Sequence, residues 1–333
     1  MSHRENSTAA VNREDIYLAS QEHLLSDLRD PRSPYGILRF ASTDIVDGGK
    51  VQYNFDGPEL YREGGATVRG HRANGAQFKT ALKGRVYEAE MNTNDFGLSV
   101  SAFQADPATR RRMRNGASWD DILAWKARQS FGRFIEQMEI LGLNLLGDAT
   151  TPFDTANAGL DDIDAQGAAY AGAAWNDAGA NIPQCIFQAK MDLKELVGVF
   201  PDTLYVPANR MAGLRTHGSL VTMYGGNVGS GGLTSDQVAE ALELDRVVPV
   251  DSTLLGDRAV LCAQAQGDVQ AVGAEKCTVI YGYDPEFAMG ELGVSVSAEA
   301  IPGSAGRDSW VTAYAHCGLV VNPIGGVRLI NLV

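Results

Sequence analysis

The stretch 118–146 most narrows what this chain can fold into, because it predicts one unusually long amphipathic helix. Ser118, followed three residues later by Asp121, resembles a capping box at the helix start, and Gly147 is a suitable stop. A helix of this length extends about 40 Å, so an apolar surface of similar length must cover it. Its apolar residues recur with a helical period: Trp119, Ile122, Leu123, Ala127, Phe131, Phe134, Ile135, Met138, Leu141 and Leu145.

The residues before this helix predict an arm and a hairpin, neither of which has a core of its own. Residues 1–45 are mostly polar, with one short helical pattern followed by two prolines. Residues 46–95 alternate as strands do, with charges and glycines between two strand patterns. A hairpin alone is marginally stable, so we expect it to lie on another surface. The alternating residues are Val51, Tyr53 and Phe55, then Phe78, Thr80 and Leu82, continued by 86–91.

The second half of the chain predicts a mixture of helices and strands, which makes the whole an α+β protein. An Ala/Gly/Asp-rich loop at 151–182 precedes the first of these helices. The arm and the hairpin find no partner within the chain, so an obligate oligomer is expected. The predicted helices are 183–197, 208–216 and 235–244, and the predicted strands are 203–206, 246–250, 259–263, 293–298, 310–316, 319–321 and 327–332, with a glycine loop at 224–232.

The acidic charge is concentrated in the second half of the chain. The net charge is -13; residues 1–150 carry 19 basic and 20 acidic side chains, whereas residues 151–333 carry 9 and 21. A surface this acidic repels nucleic acid, which argues against a sequence-specific DNA-binding protein. It is compatible with a container whose wall must not adhere to enclosed DNA.

The sequence offers no constellation that predicts catalysis, a cofactor or a metal ion. The four cysteines are too far apart for zinc-binding pairs and are expected to be buried and reduced, while the five histidines form no metal-binding or catalytic motif. The acidic residues Asp161, Asp162 and Asp164 are interpreted as solvated loop charge, with a weak cation site as the alternative. No signal peptide and no membrane-spanning apolar run is recognised, so synthesis in a cytoplasm is expected.

The run Arg110-Arg111-Arg112-Met113-Arg114 is the densest basic patch, and it lies just before the long helix. One interpretation is a solvated or salt-bridged face. The functional alternatives are contact with DNA or with acidic residues of a neighbouring subunit.

Three stretches in the second half of the chain resemble motifs of a known family. The stretch FPDTLYVP at 200–207 with MAGLR at 211–215 is similar to a strand-then-helix motif of the Hong Kong 97-type phage capsid family. The stretch LTSDQVAEALELDRVVPV at 233–250 resembles one of its helix–strand units, and VNPIGGVRLI at 321–330 its closing strand. The order of the predicted elements is similar to that family over nearly the whole chain.

The resemblance implies a division into an N-terminal arm, an extended hairpin called the E-loop, a peripheral (P) domain with a long spine helix, and an axial (A) domain. The corresponding ranges are 1–45 for the arm, 46–95 for the E-loop, 96–150 for the P domain with its spine helix, 151–270 for the A domain, and 271–333 for the P-domain return strands and C-terminus.

The function that the resemblance implies is structural, not enzymatic. Subunits would assemble in the host bacterial cytoplasm into the hexamers and pentamers of an icosahedral phage head. Their partners would be other copies, a scaffolding protein, a portal, a decoration protein and, by non-specific contact, packaged double-stranded DNA, with no membrane and no cofactor. The alternatives are an encapsulin-type compartment shell and a soluble enzyme with an unrecognised site. The residues expected at contacts between subunits are Arg62, Arg69, Arg72, Arg110, Arg111, Arg112 and Arg114.

Deletion of residues 57–75 tests whether the hairpin serves assembly and not the folding of the subunit. Because the hairpin has little apolar content of its own, we expect the shortened chain to be soluble and folded but unable to close shells. Circular dichroism measures the folding and electron microscopy the assembly. Shells of normal appearance from the shortened chain would contradict this expectation.

Overall fold

The computed structural model describes residues 35–46, 50–56, 86–148, 160–197, 201–224, 232–264, 278–284, 293–304, 308–323 and 325–333. Several predicted features lie outside these ranges. They are the arm as far as residue 34, the glycine loop at 225–231, most of the hairpin with Arg62, Arg69 and Arg72, and Cys277.

The described elements are a mixture of helices and strands, with several strands in succession at both ends of the chain, as in an α+β fold. The helices are α1 (Ile37–Phe40), α2 (Pro107–Arg114), α3 (Trp119–Leu146), α4 (Ile182–Val197), α5 (Ala208–Leu214), α6 (Gly218–Met223), α7 (Ser235–Ala241) and α8 (Ser252–Leu255). The strands are β1 (Ser42–Ile45), β2 (Lys50–Asp56), β3 (Val86–Asn92), β4 (Asn94–Phe103), β5 (Asp161–Asp164), β6 (Thr203–Pro207), β7 (Arg246–Val250), β8 (Ala259–Cys262), β9 (Val279–Tyr283), β10 (Val294–Ala300), β11 (Asp308–Val321) and β12 (Gly326–Ile330).

The predicted long helix is α3, and it begins and ends where the sequence indicates. Ser118 and Asp121 form both hydrogen bonds of a capping box at its start, and Gly147 is its C-cap. Its 28 residues lie against a five-stranded sheet in which β11 pairs with β4, β9 and β10, and β1 pairs with β9.

One face of this first sheet forms a core with α3. Ala102 of β4 and Val311 and Ala313 of β11 are buried in one cluster with Phe134 and Met138 of the helix. These strand residues alternate with exposed ones because successive side chains of a strand point to opposite faces.

A buried hydroxyl joins the helix to the sheet at the centre of this core. Ser130 Oγ donates a hydrogen bond to the Leu98 carbonyl of β4 at 2.5 Å and accepts one from the Ala313 amide of β11 at 2.9 Å. Leu98 and Ala313 are opposite each other in the ladder. The serine therefore satisfies two backbone groups of paired strands.

The prediction of two separate strands at 310–316 and 319–321 is wrong, because β11 is one continuous strand of 14 residues. Gly318 does not interrupt it. A side chain at this position would bring its Cβ within 2.3 Å of the Asn92 carbonyl oxygen, so the glycine permits a close approach of two backbones.

Several elements have no counterpart among the predicted ones. The strand β4 continues directly from β3, beyond the predicted end of the hairpin, and α2 contains the basic run. β9 also has no predicted counterpart, and β5 forms within the predicted loop at 151–182.

The second sheet has the strand order β5-β12-β8-β6-β7 and a core of its own. Helices α4 to α7 contribute residues such as Ile186, Leu220 and Val238 to this core. The closing strand β12, grouped by sequence with 271–333, pairs with β5 and β8 of this sheet. The chain therefore crosses from the first sheet to the second between Val321 and Gly326.

Polar contacts connect the two sheets through α3. Glu139 of the helix is fully buried and accepts a hydrogen bond from the Tyr35 amide at 3.1 Å. The Tyr205 hydroxyl of β6 donates to the Tyr35 carbonyl at 3.3 Å. At the C-terminus of the helix, Arg258 donates to the Gly147 carbonyl at 2.5 Å, where a cation is favoured by the helix dipole.

Replacement of Phe134 by alanine tests the placement of the buried face of α3. Phe134 has no exposed surface and makes an edge-to-face contact with Phe96 at 5.7 Å between ring centroids. Loss of a buried phenylalanine lowers the free energy of unfolding by about 3–5 kcal/mol. Urea denaturation of Phe134→Ala measures this loss. The exposed neighbour Arg133 provides the control, since Arg133→Ala is expected to change stability by no more than about 0.5 kcal/mol. Equal stabilities of the two variants would contradict the assigned face.

Candidate inter-subunit contact site

The basic run forms the short helix α2, which is fixed beside the start of α3. Asp106 caps the helix by accepting a hydrogen bond from the Ala108 amide at 3.4 Å, and Pro107 occupies its first turn. Asp106 also accepts from the Thr109 hydroxyl at 3.3 Å and lies 3.9 Å from the ammonium of Lys126 in α3. These contacts place the arginines on the surface at one end of the long helix.

Two of the four exposed arginines have contacts within the chain. Arg112 lies over the Trp125 ring, 4.0 Å from its centroid, in a cation–π contact. Arg110 Nε donates to the Gln104 carbonyl at 3.3 Å. The side chains of Arg111 and Arg114 are exposed and have no ion pair or hydrogen bond with the described part of the chain.

The arginines of α2 are clustered at its C-terminus, and this clustering favours the binding of an anion. Arg111, Arg112 and Arg114 lie in the last turn of α2, where the helix dipole favours cations. Guanidinium groups this close repel one another, and an anion would relieve that repulsion. Arginine binds carboxylate and phosphate groups through two parallel hydrogen bonds, so the site is suited to holding an anionic surface.

The interpretation of the acidic segment at 161–164 as solvated loop charge is wrong. The segment is the edge strand β5, and Asp162 accepts a hydrogen bond from Arg328 Nε of β12 at 2.6 Å. Arg328 is buried and also lies 3.2 Å from Asp148, just after α3. Asp162 is therefore half of an ion pair. Charged side chains on such a short edge strand also discourage pairing with other chains.

The described residues do not support the alternative of a cation site. Among the described ranges there is no group of three or more His, Cys, Asp or Glu residues that could hold a metal ion. No helix in those ranges is long and apolar enough to span a bilayer.

The described histidines have structural partners. His217 Nδ1 accepts from the Ser219 amide at 3.3 Å and thereby caps α6. Its Nε2 lies 2.9 Å from the Asp177 carbonyl, which requires that nitrogen to be the donor. His316 Nδ1 lies 2.9 Å from Asp95 Oδ1 across the paired strands β11 and β4.

The outer face of the first sheet holds exposed residues that were not among the predicted site residues. Trp310 and Tyr314 of β11 are 44% and 40% exposed. Glu299 of β10 is exposed directly opposite Trp310. The alternation of 308–316 could have indicated this face, since Trp310 and Tyr314 share the parity of the polar residues Thr312 and His316.

Comparisons with known proteins show what fold this is. No protein-family model and no curated protein sequence matches the chain. Its structure is similar to that of a phage-related protein from Bordetella bronchiseptica RB50, with a TM-score of 0.62 and 13% identity over 93% of this chain and 96% of that one. The chain has the α+β fold of that protein, and the predicted Hong Kong 97-type fold class is confirmed.

Two further similarities are more distant. The capsid of Ralstonia phage GP4 gives a TM-score of 0.46 and 14% identity over 90% of this chain and 91% of that one. A virus-like particle from Pyrococcus furiosus gives 0.45 and 12% over 94% and 98%.

The buried cysteines give a prediction about reactivity. Cys185, Cys262 and Cys317 are free and buried, as expected. Burial raises the pKa of the Cys185 thiol to about 12 and that of Cys317 to about 12 as well. At about pH 8 these thiols are therefore less ionised than an ordinary cysteine, whose pKa is about 8.5.

We expect the folded Cys277→Ser variant to show no thiol that reacts rapidly with Ellman's reagent at about pH 8. After unfolding in urea, the three remaining cysteines should all react. The replacement removes the one cysteine outside the described residues, so the readout concerns the buried thiols alone. Rapid reaction in the folded variant would contradict their burial.

Proposed function

We propose that this chain is the major capsid subunit of a tailed double-stranded DNA phage and that it has no enzymatic activity. One observation carries the proposal, namely the fold shared over 93% of the chain with a phage-related protein. The sequence motifs at 200–215, 233–250 and 321–330 support the same conclusion, because they resemble capsid proteins of this fold.

The arrangement of the described elements supports a role in assembly. The strands β2 and β3 pair with each other in a ladder separate from the two larger sheets. The end of β3 packs on the first sheet of the same chain, where Met91 is buried and Asn92 lies against Gly318. The rest of a two-stranded ladder needs another surface for stability, and a neighbouring copy is the simplest provider. The proposed division into arm, E-loop, P domain and A domain places this ladder at the base of the E-loop.

The proposed assembly is a set of hexamers and pentamers that close into an icosahedral head in the host bacterial cytoplasm. The head would enclose double-stranded DNA, with a scaffolding protein, a portal and a decoration protein as further partners. The arginines at 62, 69, 72, 110–112 and 114 would serve contacts between subunits. The alternative of an encapsulin-type compartment differs in its contents, because such a shell encloses protein instead of a genome.

The strength of phosphate binding favours contacts between subunits as the main role of these arginines. A wall that neutralised many phosphates would hold the genome during packaging and ejection. An exposed ion pair contributes only about 0–1 kcal/mol, but in a closed shell it recurs at every equivalent interface.

Electron microscopy of the purified chain expressed in bacteria tests the proposal. We expect closed shells or capsomers, and small discrete oligomers alone would contradict a capsid role. Nuclease-protected DNA in particles from infected cells distinguishes a phage head from a compartment that holds protein cargo.

Salt provides a second measurement on empty shells. Exposed ion pairs are screened over a Debye length of about 3 Å at 1 M salt, so we expect the shells to loosen as salt rises to molar concentration. The double variant Arg111→Gln, Arg114→Gln should weaken empty and DNA-filled particles equally, whereas the exposed Arg133→Gln should not. A defect confined to DNA-filled particles would assign the patch to the genome.

A further inference from the structure

The outer face of the first sheet is left uncovered by the described part of the chain. α3 packs on the inner face, while the outer residues of β11 include the exposed rings of Trp310 and Tyr314. Cross-strand hydroxyls, such as Ser99 and Thr312 with oxygens 2.7 Å apart, make the rest of this face polar. Exposed aromatic rings on a polar surface are a common feature of protein interfaces.

Trp310 and Glu299 form a pair of side chains on this face. They are directly opposite in the β10–β11 ladder, and residues in that relation project from the same face with Cβ atoms about 5 Å apart. Phe103 holds the indole by an edge-to-face contact at 6.0 Å between ring centroids. Glu299 has no ion pair with any described residue.

The charge of this face is negative. Its outward positions on β4, β10 and β11 include Asp95, Glu299 and Asp308 but no lysine or arginine. A carboxylate beside a fixed indole is suited to a guanidinium group, which pairs with the carboxylate and stacks on the ring. The chain itself contains one such stack, that of Arg112 on Trp125.

The complementary surface lies on the same chain, at α2. Arg111 and Arg114 are exposed guanidinium groups without a described partner. Within one copy, no ion pair or cation–π contact joins them to Glu299 or Trp310 among the described residues. A contact between two different surfaces of identical chains is heterologous, and such contacts generate rings when they close.

We propose that Glu299 and Trp310 of one copy bind Arg111 and Arg114 of a second copy. This inference rests on the proposed function and names the partner of the α2 arginines. A nucleic acid is the less suitable occupant of the sheet face, because Glu299 repels phosphate. A guanidinium group can form an ion pair with the carboxylate of Glu299 and stack on the ring of Trp310.

An exchange of charge tests the contact. The variants are Arg111→Glu with Arg114→Glu, Glu299→Arg, and the three changes combined. Like charges across the interface should lower the yield of shells about tenfold for the first two variants at low salt. The combination restores opposite charges and should recover most of the yield. Arg133→Glu, on the exposed face of α3, is the control for added negative charge.

Replacement of the ring supplies an independent arm of the test. Trp310→Leu should lower the yield about as much as Glu299→Arg, because it removes the stacking surface. Tyr314→Leu is the matched control, since Tyr314 lies on the same face opposite Ser295 and Gly97, neither of which carries a charge. Thermal unfolding by circular dichroism confirms that each variant is folded, so a lost assembly reports on the interface.

The outcomes separate this contact from the proposed function. Normal assembly of the single-surface variants, or no recovery in the combination, would overturn the contact while wild-type shells still support the capsid role. Defects found only in DNA-filled particles would also overturn it, in favour of phosphate binding. If the wild-type chain forms only small oligomers, the capsid role fails. The same charge exchange, followed by sedimentation of those oligomers, then supports or overturns the contact.

Discussion

The packing of one long helix on one face of a sheet is the interaction on which the rest of this structure depends. α3 supplies an apolar stripe that runs from Ile122 to Leu146, and β4 and β11 supply the matching surface. Burial of that surface provides the main driving force, and the Ser130 hydroxyl satisfies the backbone groups that the helix covers. The helix covers only one face, and the described part of the chain leaves the opposite face of the sheet exposed.

The same helix also determines how the two sheets are joined. Its buried Glu139 and its C-terminal carbonyl are bound by groups that belong to, or contact, the second sheet. Arg328 reinforces this end through Asp148 and Asp162. A buried arginine is tolerated only when its charge is paired, so the acidic edge strand has a structural purpose that its composition concealed. Polar groups at defined positions on α3 therefore link the two cores.

The distribution of charge gives the molecule two unlike surfaces. The arginines of α2 are concentrated at one end of the helix layer, and carboxylates with aromatic rings lie on the outer face of the sheet layer. In the described part of the chain, the side chains of Arg111 and Arg114 have no partner and the rings of Trp310 and Tyr314 are exposed. The proposed association of the two surfaces would relieve both costs at once. The distribution of charge therefore connects the fold to the proposed assembly.

The sequence by itself determined the long helix, its capping box, several strands of the second sheet and the basic character of 110–114, because these features depend on local spacing and composition. It did not indicate β9. Nor did it indicate the continuity of β11, because a glycine within a strand pattern locally suggests a break. The close approach of Asn92 explains why position 318 is a glycine. Nor did it pair Asp162 with Arg328, which are 166 residues apart. The position of Glu299 beside Trp310 was likewise decided by strand register, which is a property of the folded sheet. Local patterns specify elements, whereas partners distant in sequence meet only through tertiary structure.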